Sequence, residues 1–272
     1  MVSVLAGLAP ARRRLVLGLL VVLVVAVGVL AAVLVPRLGS GGAAVAQDRP
    51  GPVLLVPGYG GATGGLDDLA AVLRAGGRDA TVVALPGDGT GDLGASAKAL
   101  DAAVRHALAR TGAGSVDVVG YSAGGVVARL WAADGGAQRA RRIVTLGSPQ
   151  HGTELADLAD GVLPGECPAG CRELVTGSDL LRRLNAGDET PDGPTWVSIW
   201  TTQDQTVQPP DSARLEGALN IPVQSVCAGA RVGHGDLPSN PLVEQMVRTE
   251  LRAGDPVQLG PSDCAALTAD GR

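Results

Sequence analysis

Ser122 stands in Gly120-Tyr121-Ser122-Ala123-Gly124, after the largely β-branched run Val116-Asp117-Val118-Val119 and before a helix-like pattern of Val126, Val127, Leu130 and Trp131. A strand, a strained turn and a helix in that order lift a serine hydroxyl to a helix N-terminus, an arrangement known as a nucleophile elbow. Free N–H groups at such an end can stabilise an oxyanion. Gly120 and Gly124 would let the strand and helix approach closely around the turn. The pentapeptide alone carries little weight. With 40 glycines in 272 residues, such a match arises by chance in roughly one chain of this composition in four.

A serine nucleophile needs a base, and the base needs an orienting carboxylate. The chain has three histidines. His106 falls inside the helical pattern from Asp92 to Arg110 and reads as a surface residue. His151 follows a strand-like run in Ser148-Pro149-Gln150-His151-Gly152, and His234 follows the last such run in the Gly-flanked loop Val232-Gly233-His234-Gly235-Asp236. The order serine, acid, histidine selects His234 as base, with Asp204 as acid just beyond the run Trp196–Thr201. Asp211 is the runner-up acid. The two oxyanion donors expected are the N–H groups of Ala123 and of Tyr59, the latter in Pro57-Gly58-Tyr59-Gly60-Gly61. Chemistry of this kind needs no metal and no organic cofactor.

Val53–Val56, Thr81–Leu85, the elbow strand, Ile143–Leu146, Trp196–Thr201 and Ile221–Val226 read as strands. Helical patterns over Leu66–Arg74, Asp92–Arg110, the segment after Ser122 and Pro241–Leu251 separate most of them. The alternation predicts an α/β class with a mostly parallel, doubly wound sheet in one domain over 53–272. Between 153 and 195 the pattern loosens, and only Ser178–Asn185 is convincingly helical. Gly161, Pro164, Gly165, Pro168 and Gly170 break the rest, so a small, pinned cap is expected there and not a swinging lid.

Arg12-Arg13-Arg14 precedes an uninterrupted apolar run from Leu15 to Val35, which reaches the ~20 residues needed to span a bilayer. Residues 1–36 therefore read as a signal peptide or a signal anchor, with the remainder outside the cytoplasm. Ala44-Val45-Ala46 is a cleavage site if the segment is removed; uncleaved, the segment is the chain's membrane partner. Residues 37–52 read as a flexible linker. Cys167, Cys171, Cys227 and Cys264 all follow it, and Cys167–Cys171 with Cys227–Cys264 is the favoured pairing of three, against a zinc site whose spacing the second pair lacks. A net charge of −5 without a basic block after the N-terminus argues against nucleic acid. A monomer is expected.

Val-Pro-Gly-Tyr-Gly-Gly at 56–61, Gly-Tyr-Ser-Ala-Gly-Gly at 120–125, Leu-Gly-Ser-Pro-Gln-His-Gly-Thr at 146–153, Asp204 and Gly-His-Gly at 233–235 together resemble the small bacterial lipases and esterases of the α/β-hydrolase superfamily. The resemblance runs from Val53 to about Arg252. It implies an exported serine ester hydrolase acting on acyl esters or lipids, with Gly58 and His151 lining the substrate site and His151 outside the triad. Where that family carries His-Gly before the oxyanion loop, this chain has Pro57-Gly58. An acyltransferase working through the same acyl-enzyme is the alternative, and a non-catalytic, membrane-anchored binding protein is a third. From the broken cap, short-to-medium dissolved esters are expected as substrates, with little rate jump at their solubility limit.

Overall fold

The computed structural model describes residues 45–162 and 164–269, together with residues 19 and 23–25. The signal or anchor segment expected over 1–36 therefore lies almost wholly outside the described residues, as does the linker up to 44. Among the described residues no helix is long and apolar enough to cross a membrane.

Six parallel strands form one sheet: β1 (Val53–Val56), β2 (Ala80–Val82), β3 (Val116–Tyr121), β4 (Ala140–Leu146), β5 (Thr195–Trp200) and β6 (Leu219–Pro222), in the order β2-β1-β3-β4-β5-β6. Parallel strands need crossovers, and helices supply them on both faces. Along β1 the side chains alternate: Val53 and Leu55 enter one core, Leu54 and Val56 the other. The first core packs Leu66, Leu69 and Leu73 of α1 (Gly64–Ala75) near Val243, Met246 and Val247 of a later helix, Pro241–Glu250. The second packs Leu100 and Val104 of α2 (Leu93–Thr111) with Val126, Val127 and Trp131 of α3 (Ala123–Trp131). A chain without Phe thus fills both cores mainly with aliphatic side chains, with Trp131 and Trp196 as the large aromatics of the second. The Asp92 carboxylate caps α2 by accepting from Ala95 N at 2.7 Å, as its position predicts.

Three sequence expectations need correction. β2 ends at Val82, short of the expected Leu85. The strand expected over Ile221–Val226 breaks after Pro222, and Val223–Val226 is a single helical turn; Pro222 has no N–H to offer and sits on an edge strand. The cap contains a nine-residue helix that Gly and Pro density concealed, α4 (Glu154–Val162), before the shorter α5 (Ala169–Glu173) and α6 (Asp179–Leu184). Within the segment expected as a linker, Gln47 is fixed against β4 and β5. The Gln47 amide donates to Arg141 O at 3.1 Å and accepts from Arg142 Nη2 at 3.1 Å and Thr195 Oγ1 at 3.2 Å. Both expected disulfides, Cys167–Cys171 and Cys227–Cys264, are present.

Candidate active site

Ser122 occupies the turn between β3 and α3 with φ 52° and ψ −127°, and it is the only non-glycine residue at positive φ among the described residues. Backbone held there is strained, and the packing around it must over-determine the conformation. Gly124 shows how tightly: a Cβ on it would fall 2.2 Å from Val56 O. The start of α3 approaches the end of β1 this closely only because Gly124 has no side chain.

The His234 loop follows β6 and is fastened to the end of β5, where Thr201 Oγ1 donates to Val232 O at 2.6 Å. His234 Nε2 lies 3.0 Å from Ser122 Oγ, and His234 Nδ1 lies 2.7 Å from Asp204 Oδ2. Asp204 is 2% exposed, and its other oxygen accepts from Thr206 N at 2.9 Å and Val207 N at 2.8 Å. Two backbone donors and the imidazole thus satisfy the buried carboxylate. The runner-up Asp211 stands apart, in the turn Pro210–Ala213 beside a separate groove.

Tyr121 had no assigned role in the sequence reading. Its ring centroid is 5.2 Å from that of His234, and its hydroxyl donates to the His234 carbonyl at 3.3 Å. Burial first, then the charges of Asp204 and Asp236, push that hydroxyl up to about 12, so it remains a donor. Its place next to Ser122 was the available signal. The N–H groups of Tyr59 and Ala123 make no hydrogen bond among the described residues, and Gly58 faces Ser122, where a Cβ would lie 3.0 Å from the serine Cβ.

A cavity of about 400 Å³ opens over Ser122 and His234. Gly58 and Tyr59 bound it on one side, Thr206 and Val207 on another, and Leu155, Ala156, Ala159, Cys171 and Leu174 of the cap line it with mainly apolar surface. That size suits a small organic ligand. α4 forms much of this wall while leaving Leu155, Leu158 and Val162 more than half exposed. The only convincing cap helix expected, Ser178–Asn185, is α6, which does not line the cavity. His151, expected in the substrate site, does not line it either. Its ring turns to Glu189 and Ser212 in the neighbouring groove, because both acceptors lie on that side of the turn.

A serine hydroxyl, an imidazole and a buried carboxylate joined in series, with unpaired N–H groups beside the serine, can perform nucleophilic acyl transfer. Among the described residues no cluster of His, Cys, Asp and Glu could hold a metal ion.

Residues 51–167 match the family described as alpha/beta hydrolase fold. Among solved structures, Aspergillus fumigatus lipase B is similar with a TM-score of 0.65 at 19% identity, covering 83% of this chain and 62% of that one. The mature form of Bacillus licheniformis lipase BlEst2 gives 0.60 at 20% identity, covering 77% of this chain and 95% of the lipase. The propeptide form of the same lipase gives 0.63 at 21% identity, covering 80% of this chain and 55% of that one. The chain thus spans under two thirds of the fungal lipase and of the propeptide form. At these identities the likeness establishes the fold. No curated protein sequence matches.

Proposed function

Given that the chain has the α/β-hydrolase fold, we propose that it is a serine ester hydrolase cleaving acyl esters through an acyl-enzyme on Ser122. The observation that carries this reading is the continuous series Ser122 Oγ–His234–Asp204, with contacts of 3.0 and 2.7 Å. In the proposed reaction His234 Nε2 takes the serine proton as Oγ attacks the ester carbonyl. The tetrahedral oxyanion is stabilised by the N–H groups of Tyr59 and Ala123. His234 then returns its proton to the departing alkoxide, and water repeats the sequence to release the acid. Asp204 orients the ring and stabilises its cationic form, while remaining ionised itself.

The apolar cavity under the cap would take the acyl chain, and its size favours short-to-medium chains. That the two similar enzymes described above are lipases supports an ester substrate. The exposed apolar face of α4 weakens the case for purely dissolved substrates, since an amphipathic helix at a site mouth can rest on a lipid surface. We propose further that the domain works outside the cytoplasm, a placement that suits its two disulfides and the Leu15–Val35 segment.

Two measurements test the reading. A fluorophosphonate probe should label Ser122 and no other residue. Hydrolysis of p-nitrophenyl esters of rising acyl length should pass through a maximum at short-to-medium chains. Labelling elsewhere with Ser122 untouched, or no turnover of any ester, would overturn it.

A further inference from the structure

His151 sits in surroundings more specific than a surface histidine requires. Its Nε2 lies 2.8 Å from Glu189 Oε1 and its Nδ1 3.2 Å from the Ser212 carbonyl oxygen. Carbonyl and ionised carboxylate are both acceptors. A neutral imidazole donates through one nitrogen only, so the doubly protonated ring alone can make both bonds. Each partner is itself held. Glu189 is 9% exposed, its Oε2 accepts from Glu216 N at 2.8 Å, and its carbonyl accepts from Arg129 Nε at 3.1 Å. Ser212 Oγ accepts from His151 N at 3.3 Å and donates to Gly152 O at 2.5 Å. The other charged groups around the ring are Asp211, Arg214 and Glu216 in its groove, Asp188 beside Glu189, and the buried Arg129 behind Gln150.

The same turn reaches the acid of the active site. Two residues beyond His151, Thr153 Oγ1 donates to Thr206 O at 2.7 Å and accepts from Gln208 N at 3.2 Å. Thr206 and Val207 are the residues whose N–H groups hold Asp204 Oδ1. Pro149, Thr153, Thr206 and Val207 also line the cavity.

We propose that His151 is a positioning residue, a proton-dependent clasp holding the 148–153 turn against the 204–213 loop, and with it the cavity wall and the seat of Asp204. With both ring nitrogens protonated the clasp is closed at Glu189 and at Ser212. Loss of one ring proton frees one end, and the cavity wall loosens. The kinetic consequence rests on the ester-hydrolase reading; the structural one does not.

The test has two arms. In the first, the His151 ring and the backbone amides of Thr206 and Val207 are followed by NMR across pH in a His234→Gln variant, where His234 cannot contribute. The amides should move with the His151 midpoint, and amides that stay still would overturn the clasp. In the second, kcat and KM for p-nitrophenyl butyrate are measured from about pH 5 to 9 in the native enzyme and in His151→Gln. KM of the native enzyme should rise about three- to tenfold as His151 loses its proton, the worth of one hydrogen bond. In the variant KM should stay flat. A native KM that does not change, or an equal rise in the variant, would reject the proposal. If no ester is turned over, the hydrolase reading fails and the NMR arm still judges the clasp.

Discussion

Asp117 and Asp204 are buried aspartates at opposite ends of the sheet, 0% and 2% exposed, and their partners give them opposite roles. Asp117, near the start of β3, is gripped by Arg141 through contacts of 2.8 and 2.7 Å and by Arg78 at 2.5 Å. Arg141 reaches on to Gln47 O, Leu251 O and Arg252 O, fastening the segments around Gln47 and Leu251–Arg252 over this end of the sheet. Guanidinium does not give up its proton in a protein, so the cluster can only hold. Asp204, beyond the end of β5, faces an imidazole and two backbone N–H groups. That ring can gain and lose a proton, so the same carboxylate supports a charge that appears and disappears. If the proposed function holds, what distinguishes the structural aspartate from the catalytic one is the partner's capacity to titrate, with burial common to both.

The contrast is most strongly exposed at the serine end of the Ser122–His234–Asp204 series. Ser122→Ala should lower kcat on the order of 10⁶ with little change in Tm, read by ester turnover and thermal melting. Next, Asp204→Asn should lower kcat by up to ~10⁴ by favouring the wrong imidazole tautomer, again with the fold retained. Asp117→Asn should do the reverse. It leaves two arginines without their counter-charge and should cost about 3–5 kcal/mol of stability, with kcat per folded molecule nearly unchanged. A loss of kcat without a loss of Tm in that variant would break the comparison.

Glu250 sharpens it at the structural end. Burial, opposed by the Val257 N–H and the charge of Arg142, pushes its carboxyl up to about 7 from an ordinary 4.5. A folded value above the unfolded one means the native state prefers the protonated acid. The associated stability is present below about pH 4.5 and is lost as pH rises through about 7. Glu250→Gln, neutral throughout, should therefore raise stability at pH 8 by ~1–3 kcal/mol and change little at pH 4, measured by denaturation at both. The smallest effect belongs to Tyr121→Phe. Removing its hydrogen bond to the His234 carbonyl should lower kcat by about two- to fivefold, with Tm nearly constant.

The strand–turn–helix around Ser122 is legible in the sequence because its most demanding feature is local. A strained serine needs a strand before it, a helix after it and glycines two positions away on each side, and all of these lie within a dozen residues. Asp204 and His234 followed from chain order and from their places after strands. The cap was less legible. Leu155, Leu158 and Val162 lie on one face of α4, but Gly161 at its end and the Gly/Pro-rich stretch beyond masked so short a period. The resemblance places His151 in the substrate site, and Pro149 and Thr153 of the same turn do line the cavity. Which way the ring turns depends on Glu189 and Ser212, 38 and 61 residues further along.

By itself the sequence determined the α/β alternation, the strained turn at Ser122 and the pairing of the cysteines, since each rests on local stereochemistry or on order along the chain. Only the tertiary structure decided that His234 meets Ser122 across 112 residues, that α4 walls the cavity, that Gln47 bonds to Arg141 and Arg142 at one end of the sheet, and that the His151 ring turns to Glu189 and Ser212. Those outcomes depend on which polar groups find partners once two cores have closed, and a buried donor or acceptor takes the partner that packing brings to it.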